Sequence, residues 1–363
     1  MAAYFTPGRT RLPDARETHI DMRKTCKGVK YARGDYSLKC TPRSLKEQSN
    51  DKNLMTIDTF DGTGVKPAHW DLDAVVAALR VSREATHNIR HQRRIRELPS
   101  REALTTIVNG LFAVLFPTHY GRPNLTDESI DYFVGDTLNT TLNRLTEQVR
   151  RGLQFAEGVD AAETTEDALT RQAHEITRQF AASLPHIRAL LVSDVQAAYA
   201  GDPAATSIAE IMLCYPGTIA ILHYRLAHRL HQLGSPFIAR MMCDISHSLT
   251  GIDIHPAAQI GASFFIDHGT GVVIGETAIL GERVRLYQHV TLGAKRFPAD
   301  ASGMLIKGTP RHPIVEDDVV IYAGATILGR ITIGAGSTIG GNVWLTQSVP
   351  PNSSVSQAQM RSD

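Results

Sequence analysis

Aliphatic residues recur at every sixth position between Ile254 and Val349. Glycine often follows the aliphatic residue directly, and a second small or apolar residue usually stands four places after it. A period of six fits neither the 3.6-residue repeat of a helix nor the two-residue alternation of a simple strand. The repeating positions are Ile254, Ile260, Ile266 and Val272; Ile274, Leu280, Leu286 and Leu292; and Val315, Ile321, Ile327, Ile333, Ile339 and Leu345.

This pattern predicts a coil of short strands, three to a turn, in which each aliphatic side chain points into a prism. Glycine suits the following position because it lets the backbone turn a tight corner. Stacked turns then bury one continuous core, as in other repeat proteins. A β-sandwich with coincidental spacing is the alternative, and it is disfavoured because sandwich strands do not keep one fixed period through so many repeats.

The 3.6-residue pattern dominates from Trp70 to about residue 250 and predicts an all-helical domain over 69–250. Ser100 is expected to begin one helix and Pro117 to end it. Glycines and prolines between residues 201 and 236 separate shorter segments. The predicted helices start near Trp70, Ser100 and Thr126, and then cover Ala168–Tyr199, Ile208–Cys214, Thr218–Leu233 and Pro236–Leu249.

Three other segments lack either period. Residues 1–68 are polar and are expected to form a disordered arm. They contain four acidic residues within 14–35, which argues against a transit peptide without excluding organellar targeting. The sixfold series within 251–349 is interrupted by residues 293–312, which must leave the prism as a loop. Residues 350–363 form a short polar tail.

Composition narrows the function. The 363 residues carry a formal charge of +1, which argues against nucleic-acid binding driven by bulk electrostatics. No apolar run approaches the ~20 residues that cross a bilayer, so no membrane contact is expected. Cys26, Cys40, Cys214 and Cys243 lack metal-ligand spacing and are expected to be free thiols in the cytoplasm.

Three polar motifs interrupt the aliphatic coil and carry the candidate chemistry. They are Asp253-Ile254-His255-Pro256, Asp267-His268-Gly269-Thr270-Gly271 and Arg311-His312-Pro313. Asp253 precedes His268 by 15 residues, close to the roughly 18 of one full turn, so the carboxylate is expected to lie on an adjacent turn and orient the imidazole. Proton transfer by histidine on a bound substrate is the favoured chemistry.

With these motifs the chain resembles the serine acetyltransferases over about 170–350. The helical Tyr224-Arg225-Leu226-Ala227-His228 and the segments Gly201-Asp202-Pro203-Ala204 and Gly275-Glu276-Thr277-Ala278 extend the likeness. The resemblance implies a helical domain followed by a left-handed parallel β-helix. It also implies a homotrimer, often paired into a hexamer, with the active site between neighbouring coils.

The same resemblance implies the site residues. His268 would be the general base that takes the proton of the L-serine hydroxyl, and Asp253 would orient it. Arg311 and His312 would hold the serine carboxylate, with His312 assisting the reaction. Asp202 and Asp267 would hold the amino group.

The resemblance makes acetyl-CoA the co-substrate, with no metal, and O-acetyl-L-serine the product, made for cysteine biosynthesis. Acetyl-CoA would contact backbone at Gly293, Ala294, Ala323 and Gly341, under the loop. L-Cysteine is expected to be a feedback inhibitor because it is nearly isosteric with serine. Because the tail is short, no tail-mediated complex with O-acetylserine sulfhydrylase is expected.

Three alternatives remain open from the residues. The first is a hexapeptide acyltransferase that acts on another hydroxyl. The second is a γ-type carbonic anhydrase, which would need zinc on three histidines such as His268, His289 and His312. The third is a non-catalytic, cysteine-sensing homologue.

Overall fold

The computed structural model describes residues 72–86, 90–91, 94–95, 97–156 and 166–357. The predicted arm 1–68 and the end of the tail, 358–363, lie outside these residues. Eight helices precede the coil within the described part of the chain. They are α1 (Leu72–Thr86), α2 (Arg101–Leu115), α3 (Pro117–Tyr120), α4 (Ile130–Ala156), α5 (Glu166–Gly201), α6 (Ile208–Cys214), α7 (Pro216–Gln232) and α8 (Pro236–Thr250).

Local signals in the sequence account for most of these bounds. The Ser100 hydroxyl caps α2 by accepting a hydrogen bond from the backbone N–H of Ala103. Pro117 ends α2 but also begins the short α3, which the sequence did not predict. A two-stranded hairpin of β1 (Arg90–His91) and β2 (Arg94–Ile95) also interrupts the region expected to be wholly helical.

Fourteen short strands form the coil, and all of their pairings are parallel. They build three flat faces around a core of buried aliphatic side chains. The predicted combination of a helical region and a parallel β-coil is therefore confirmed. Face 1 holds β3 (Asp253–Ile254), β6 (Val273–Ile274), β9 (Thr291–Gly293), β12 (Thr326–Leu328) and β15 (Trp344–Leu345); face 2 holds β4 (Gln259–Ile260), β7 (Ile279–Leu280), β10 (Ile314–Val315) and β13 (Thr332–Ile333); face 3 holds β5 (Phe265–Ile266), β8 (Arg285–Leu286), β11 (Val320–Ile321), β14 (Thr338–Ile339) and β16 (Ser354–Val355).

Two corners of this prism matter for function. Corner 1/2 joins face 1 to face 2 and contains residues 255–258, 275–278, 294–313 and 329–331. Corner 3/1 joins face 3 to face 1 and contains residues 267–272, 287–290, 322–325 and 340–343. The two corners border opposite edges of face 1.

The first turn of the coil is longer than the period predicts. Asp253 pairs with Val273, twenty residues later, whereas Val273 pairs with Thr291, eighteen residues later. The two extra residues lie in corner 3/1, between Ile266 and β6. Asp253 and His268, 15 residues apart, both belong to this first turn, Asp253 at its start on face 1 and His268 in the corner at its end.

A buried ion pair joins the helices to the first turn of the coil. The Arg225 guanidinium on α7 binds the Asp194 carboxylate on α5, and both side chains are 3% exposed. Arg225 also donates to the carbonyls of Ile260 and Gly261, and Asp194 accepts from the backbone N–H of Phe264. The pair thus holds two helices against one edge of the prism.

The interruption of the sixfold series leaves the coil between β9 and β10, as expected. Its tip is a turn in which Asp300 accepts hydrogen bonds from Ser302 and Met304 and in which Ala299 bridges to Leu305. The coil itself continues past the expected end at Val349, because β16 pairs with β14. Among the described residues, no helix is long and apolar enough to cross a membrane.

Candidate active site

The enlarged part of corner 3/1 projects His268 from the coil. His268, Gly269 and Gly271 all have positive φ angles, at 58°, 87° and 78°, which turn the backbone outward. The His268 side chain is 69% exposed, while the neighbouring Asp267 side chain is 10% exposed. The two-residue insertion therefore presents an accessible imidazole beside a buried carboxylate.

Two side chains, those of Arg285 and His268, surround the Asp267 carboxylate. Arg285 on β8 donates to Asp267 Oδ2 at 3.2 Å, and His268 Nδ1 lies 3.8 Å from Asp267 Oδ1. Arg285 is itself sandwiched between the rings of Phe265 and Tyr287. These contacts hold the Asp267 carboxylate in one orientation at the base of the corner.

Asp202 approaches the same corner from the segment after α5. Its carboxylate accepts hydrogen bonds from the Tyr215 hydroxyl at 2.6 Å and from the backbone N–H of Ala204 at 2.8 Å. These two bonds, with smaller contributions from the charges of Arg285 and His268, lower the pKa of Asp202. The same bond to Asp202 is the main cause that raises the pKa of Tyr215 to about 12. Asp202 is thus kept ionised close to Asp267 and His268.

Asp253 lies at the start of face 1, next to this corner. Although both residues are among those described, the structure places no hydrogen bond between Asp253 and the His268 ring, and the carboxylate that faces His268 is that of Asp267. The orienting role expected of Asp253 thus remains a prediction.

His312 lies in corner 1/2, where the loop rejoins the coil. Its ring packs directly over Gly275, and its Nδ1 accepts a hydrogen bond from the backbone N–H of Thr277 at 3.0 Å. Burial, followed by the positive charges of Arg311 and Arg330, lowers the pKa of His312 to about 4. His312 is therefore neutral near pH 7.

Arg311 is anchored beside His312. Its guanidinium forms an ion pair with Glu276 at 2.5 Å, and this bond is the main cause that lowers the pKa of Glu276. Arg311 and Glu276 are 24% and 33% exposed, so the pair borders solvent. Corner 1/2 thus combines a fixed cation with a neutral imidazole, a pair suited to an anionic group.

Replacing Gly275 with Ala is expected to displace the His312 ring, because an added Cβ would lie well inside van der Waals contact with it. The expected result is a fall in kcat/KM of roughly tenfold or more with the fold retained, since loss of one positioned contact costs about 1–3 kcal/mol. Gly135→Ala in α4 is the control, because an added Cβ there meets nothing within 4 Å. Equal activity of the two variants, measured by steady-state kinetics, would contradict the placement of His312.

The predicted residues fall into two groups that do not meet in one chain. Asp267 and His268 belong to corner 3/1, with Asp202 beside them, whereas Arg311 and His312 belong to corner 1/2. The positions expected to contact acetyl-CoA divide in the same way. Ala323 and Gly341 lie in corner 3/1, while Gly293 and Ala294 lie at corner 1/2. Each corner therefore carries part of the set predicted for each substrate.

Several contributors were not predicted as site residues. Arg285 and Tyr215 fix the two carboxylates, and Glu276 and Thr277 fix Arg311 and His312. The Gly275-Glu276-Thr277 motif was the sequence signal for Glu276 and Thr277. Arg285 and Tyr215 had no such signal, because they stand at ordinary strand and helix-start positions. Within the described residues, no group of three His, Cys, Asp or Glu side chains could hold a metal ion.

Known proteins share both the sequence and the fold. The family of bacterial transferase hexapeptide repeats (six repeats) matches residues 312–347. A plasmid-encoded serine acetyltransferase of Synechococcus elongatus is 59% identical over 298 residues, which cover 81% of this chain and 93% of that protein. A serine acetyltransferase of Mycobacterium tuberculosis is 49% identical over 162 residues, covering 45% of this chain and 67% of that protein.

A solved structure extends the likeness to the whole fold. The crystal structure of Entamoeba histolytica serine acetyltransferase 1 in complex with L-cysteine superposes with a TM-score of 0.60 at 36% identity. The match covers 78% of this chain and 97% of that one. The helical region and the coil are therefore shared with an enzyme of known structure.

Proposed function

The chain belongs to the serine acetyltransferase family, and we propose that it transfers the acetyl group of acetyl-CoA to the hydroxyl of L-serine. The products are O-acetyl-L-serine and CoA, and the first serves cysteine biosynthesis. The main support is the match between the charges of the two corners and those of an amino acid. Asp202 and Asp267 offer two carboxylates for the ammonium group, and Arg311 with His312 offers donors for the carboxylate.

The active site is proposed to form between two copies of the chain. The corners that carry the two groups border opposite edges of face 1, so one chain cannot bring them together. In a cyclic homotrimer with face 1 toward the axis, corner 3/1 of each copy meets corner 1/2 of the next, through a heterologous interface that closes into a ring. The trimer thereby completes three identical sites. Pairing of trimers into hexamers stays a prediction.

Mixing two inactive variants tests this arrangement. His268→Asn disables corner 3/1 and His312→Asn disables corner 1/2, so each variant alone is expected to be inactive. In co-expressed mixed trimers, about a quarter of the interfaces would join two intact corners and regain activity. Co-expression of His268→Asn with the double variant is the control, because no interface then contains an intact His268. Equal activity of the two mixtures would overturn the shared site.

His268 is the proposed general base. It is the exposed imidazole of corner 3/1, and a bound ammonium at Asp202 and Asp267 would leave the serine hydroxyl within its reach. His268 takes the hydroxyl proton as the serine oxygen attacks the acetyl carbon directly, and it returns that proton to the departing CoA sulfur. Asp253 is proposed to steady the ring from face 1.

Acetyl-CoA supplies the activated acyl group as a co-substrate. Backbone groups at Gly293, Ala294, Ala323 and Gly341 are proposed to line its path along the seam between two coils. The loop of residues 293–312 is proposed to close over it; its tip is exposed and carries Phe297, Met304 and Leu305.

Thiol release from acetyl-CoA in the presence of L-serine is the direct test. We expect rapid release with L-serine and little with D-serine or with sugar and antibiotic alcohols. D-Serine presents its ammonium, carboxylate and hydroxyl groups in a different arrangement, and the other alcohols lack this set of groups. Faster release with a non-amino-acid alcohol would favour another acceptor. No release with any acceptor would favour the non-catalytic alternative.

Asp267→Asn is expected to raise the KM for L-serine by about 10- to 100-fold, because a charge-assisted hydrogen bond is worth roughly 1.5–3 kcal/mol. The KM for acetyl-CoA should change little, since no acyl contact is assigned to this carboxylate. Asp136→Asn, at an exposed position of α4, is the control. An unchanged serine KM in steady-state assays would exclude Asp267 from the ammonium site.

L-Cysteine is proposed to inhibit by occupying the serine site. The support is the Entamoeba histolytica relative, whose crystal structure contains L-cysteine, together with the near-identical shape of the two amino acids. Inhibition competitive with L-serine is expected, and it should weaken in Asp267→Asn in parallel with serine binding.

A further inference from the structure

Thr277 holds His312 in one position through both its backbone and its side chain. Its backbone N–H donates to His312 Nδ1 at 3.0 Å, and its hydroxyl lies 2.9 Å from the same nitrogen. The hydroxyl oxygen also accepts the backbone N–H groups of Arg311 at 2.9 Å and His312 at 3.1 Å. One threonine therefore contacts both residues of corner 1/2 that face an anionic group.

These contacts determine which ring nitrogen carries the proton. A backbone N–H can only donate, so His312 Nδ1 must act as an acceptor. The Thr277 oxygen already accepts two bonds, which leaves its single proton free to be donated to the same Nδ1. A neutral His312 must then carry its hydrogen on Nε2, the nitrogen directed away from Thr277.

Arg330, on the next turn of the coil, also fixes Thr277 and His312. Arg330 Nη1 donates to the carbonyl oxygens of Thr277 and His312, the latter at 3.0 Å. The charged groups that face His312 are Arg311, Arg330 and Glu276. Arg330 holds the two backbones together, but only the Thr277 hydroxyl reaches both the ring and the N–H groups.

We propose that Thr277 is a positioning residue that keeps His312 as a neutral Nε2–H donor toward the substrate carboxylate. His312 is then unable to compete with His268 as a base, and the two imidazoles have opposite roles. This inference rests on the proposed function, because it takes the anionic group to be the carboxylate of serine.

Kinetics of Thr277→Val and Thr277→Ser test the inference. Thr277→Val keeps the shape but removes the hydroxyl, and we expect the serine KM to rise about 10- to 100-fold while the acetyl-CoA KM stays within about twofold. Thr277→Ser restores the hydroxyl and should remain within about threefold of the unmodified enzyme. Thr332→Val, on the outer side of face 2, is the control.

Binding measurements separate a role in positioning from a general structural defect. In Thr277→Val the backbone N–H still donates to His312 Nδ1, so the ring keeps its hydrogen on Nε2 but loses the hydroxyl that holds it in place. The effect should therefore be confined to the contact with the serine carboxylate. In calorimetric titrations the serine dissociation constant should rise about 10- to 100-fold, while that of acetyl-CoA stays within about twofold.

Several outcomes would overturn the inference. A serine KM unchanged in Thr277→Val, equal rises in both KM values, or equal rises in both dissociation constants would each do so, as would failure of Thr277→Ser to recover activity. If Thr277→Val does not fold, Thr277→Ala serves in its place with the same expectations. Absence of serine acetylation by the unmodified enzyme would instead refute the proposed function itself.

Discussion

Replacement of His268 by Asn is expected to lower kcat by about 10²- to 10⁴-fold, the usual contribution of a positioned general base. Asn tolerates the positive φ of 58° at this position, so the corner should keep its shape. The side chain is 69% exposed, so its loss leaves no cavity in the core. Steady-state kinetics with L-serine and acetyl-CoA measure the effect, and thermal unfolding should show an unchanged midpoint.

His289→Asn is the matched control for this variant. His289 occupies the next turn of the same corner and also has a positive φ, at 59°. The same substitution therefore imposes the same backbone demand without removing the proposed base. A loss of kcat of equal size in both variants would show that the corner, and not the His268 imidazole, is what activity requires.

Replacement of Asp194 by Asn is expected to lower the free energy of unfolding by about 3–5 kcal/mol, the cost of leaving a buried charge without its partner. Arg225 would stay buried at the junction of α5, α7 and the first turn of the coil. The amide of Asn cannot balance the guanidinium charge. Urea unfolding at one fixed protein concentration measures the change, since the proposed assembly makes stability concentration-dependent.

An exposed pair on the same helix provides the comparison. Glu175 and Arg178 form an ion pair on α5 at 2.7 Å, but both side chains are at least half exposed. Solvent screens such a pair, so Glu175→Gln should leave the unfolding midpoint nearly unchanged. Similar midpoints for Asp194→Asn and Glu175→Gln would contradict the assigned role of the buried pair.

The coil could be predicted almost completely because its repeat is a local property. Each turn must place aliphatic side chains inside a narrow prism, and every sixth residue satisfies that demand whatever the rest of the chain does. Ser100 and Pro117 similarly determine the ends of α2 through local hydrogen bonding and the missing N–H of proline. The hairpin of β1 and β2 was missed because its two-residue strands are too short to show alternation.

The two extra residues of the first turn were hidden by the sequence itself. Val272 and Ile274 are both aliphatic and both buried, so the sixfold series can be read through either one. Only strand pairing distinguishes them, and it selects Ile274 as the partner of Ile254. This choice of register enlarges the corner that contains His268.

The sequence by itself determined the kind of fold, the bounds of most helices and the residue types available for chemistry, because each follows from neighbours along the chain. Tertiary structure alone decided that His268 and His312 occupy different corners, and that Arg285, Tyr215 and Thr277 hold the groups around them. The reason is that the corner a residue occupies depends on its position around the axis of the coil. That position depends on every insertion in the preceding turns.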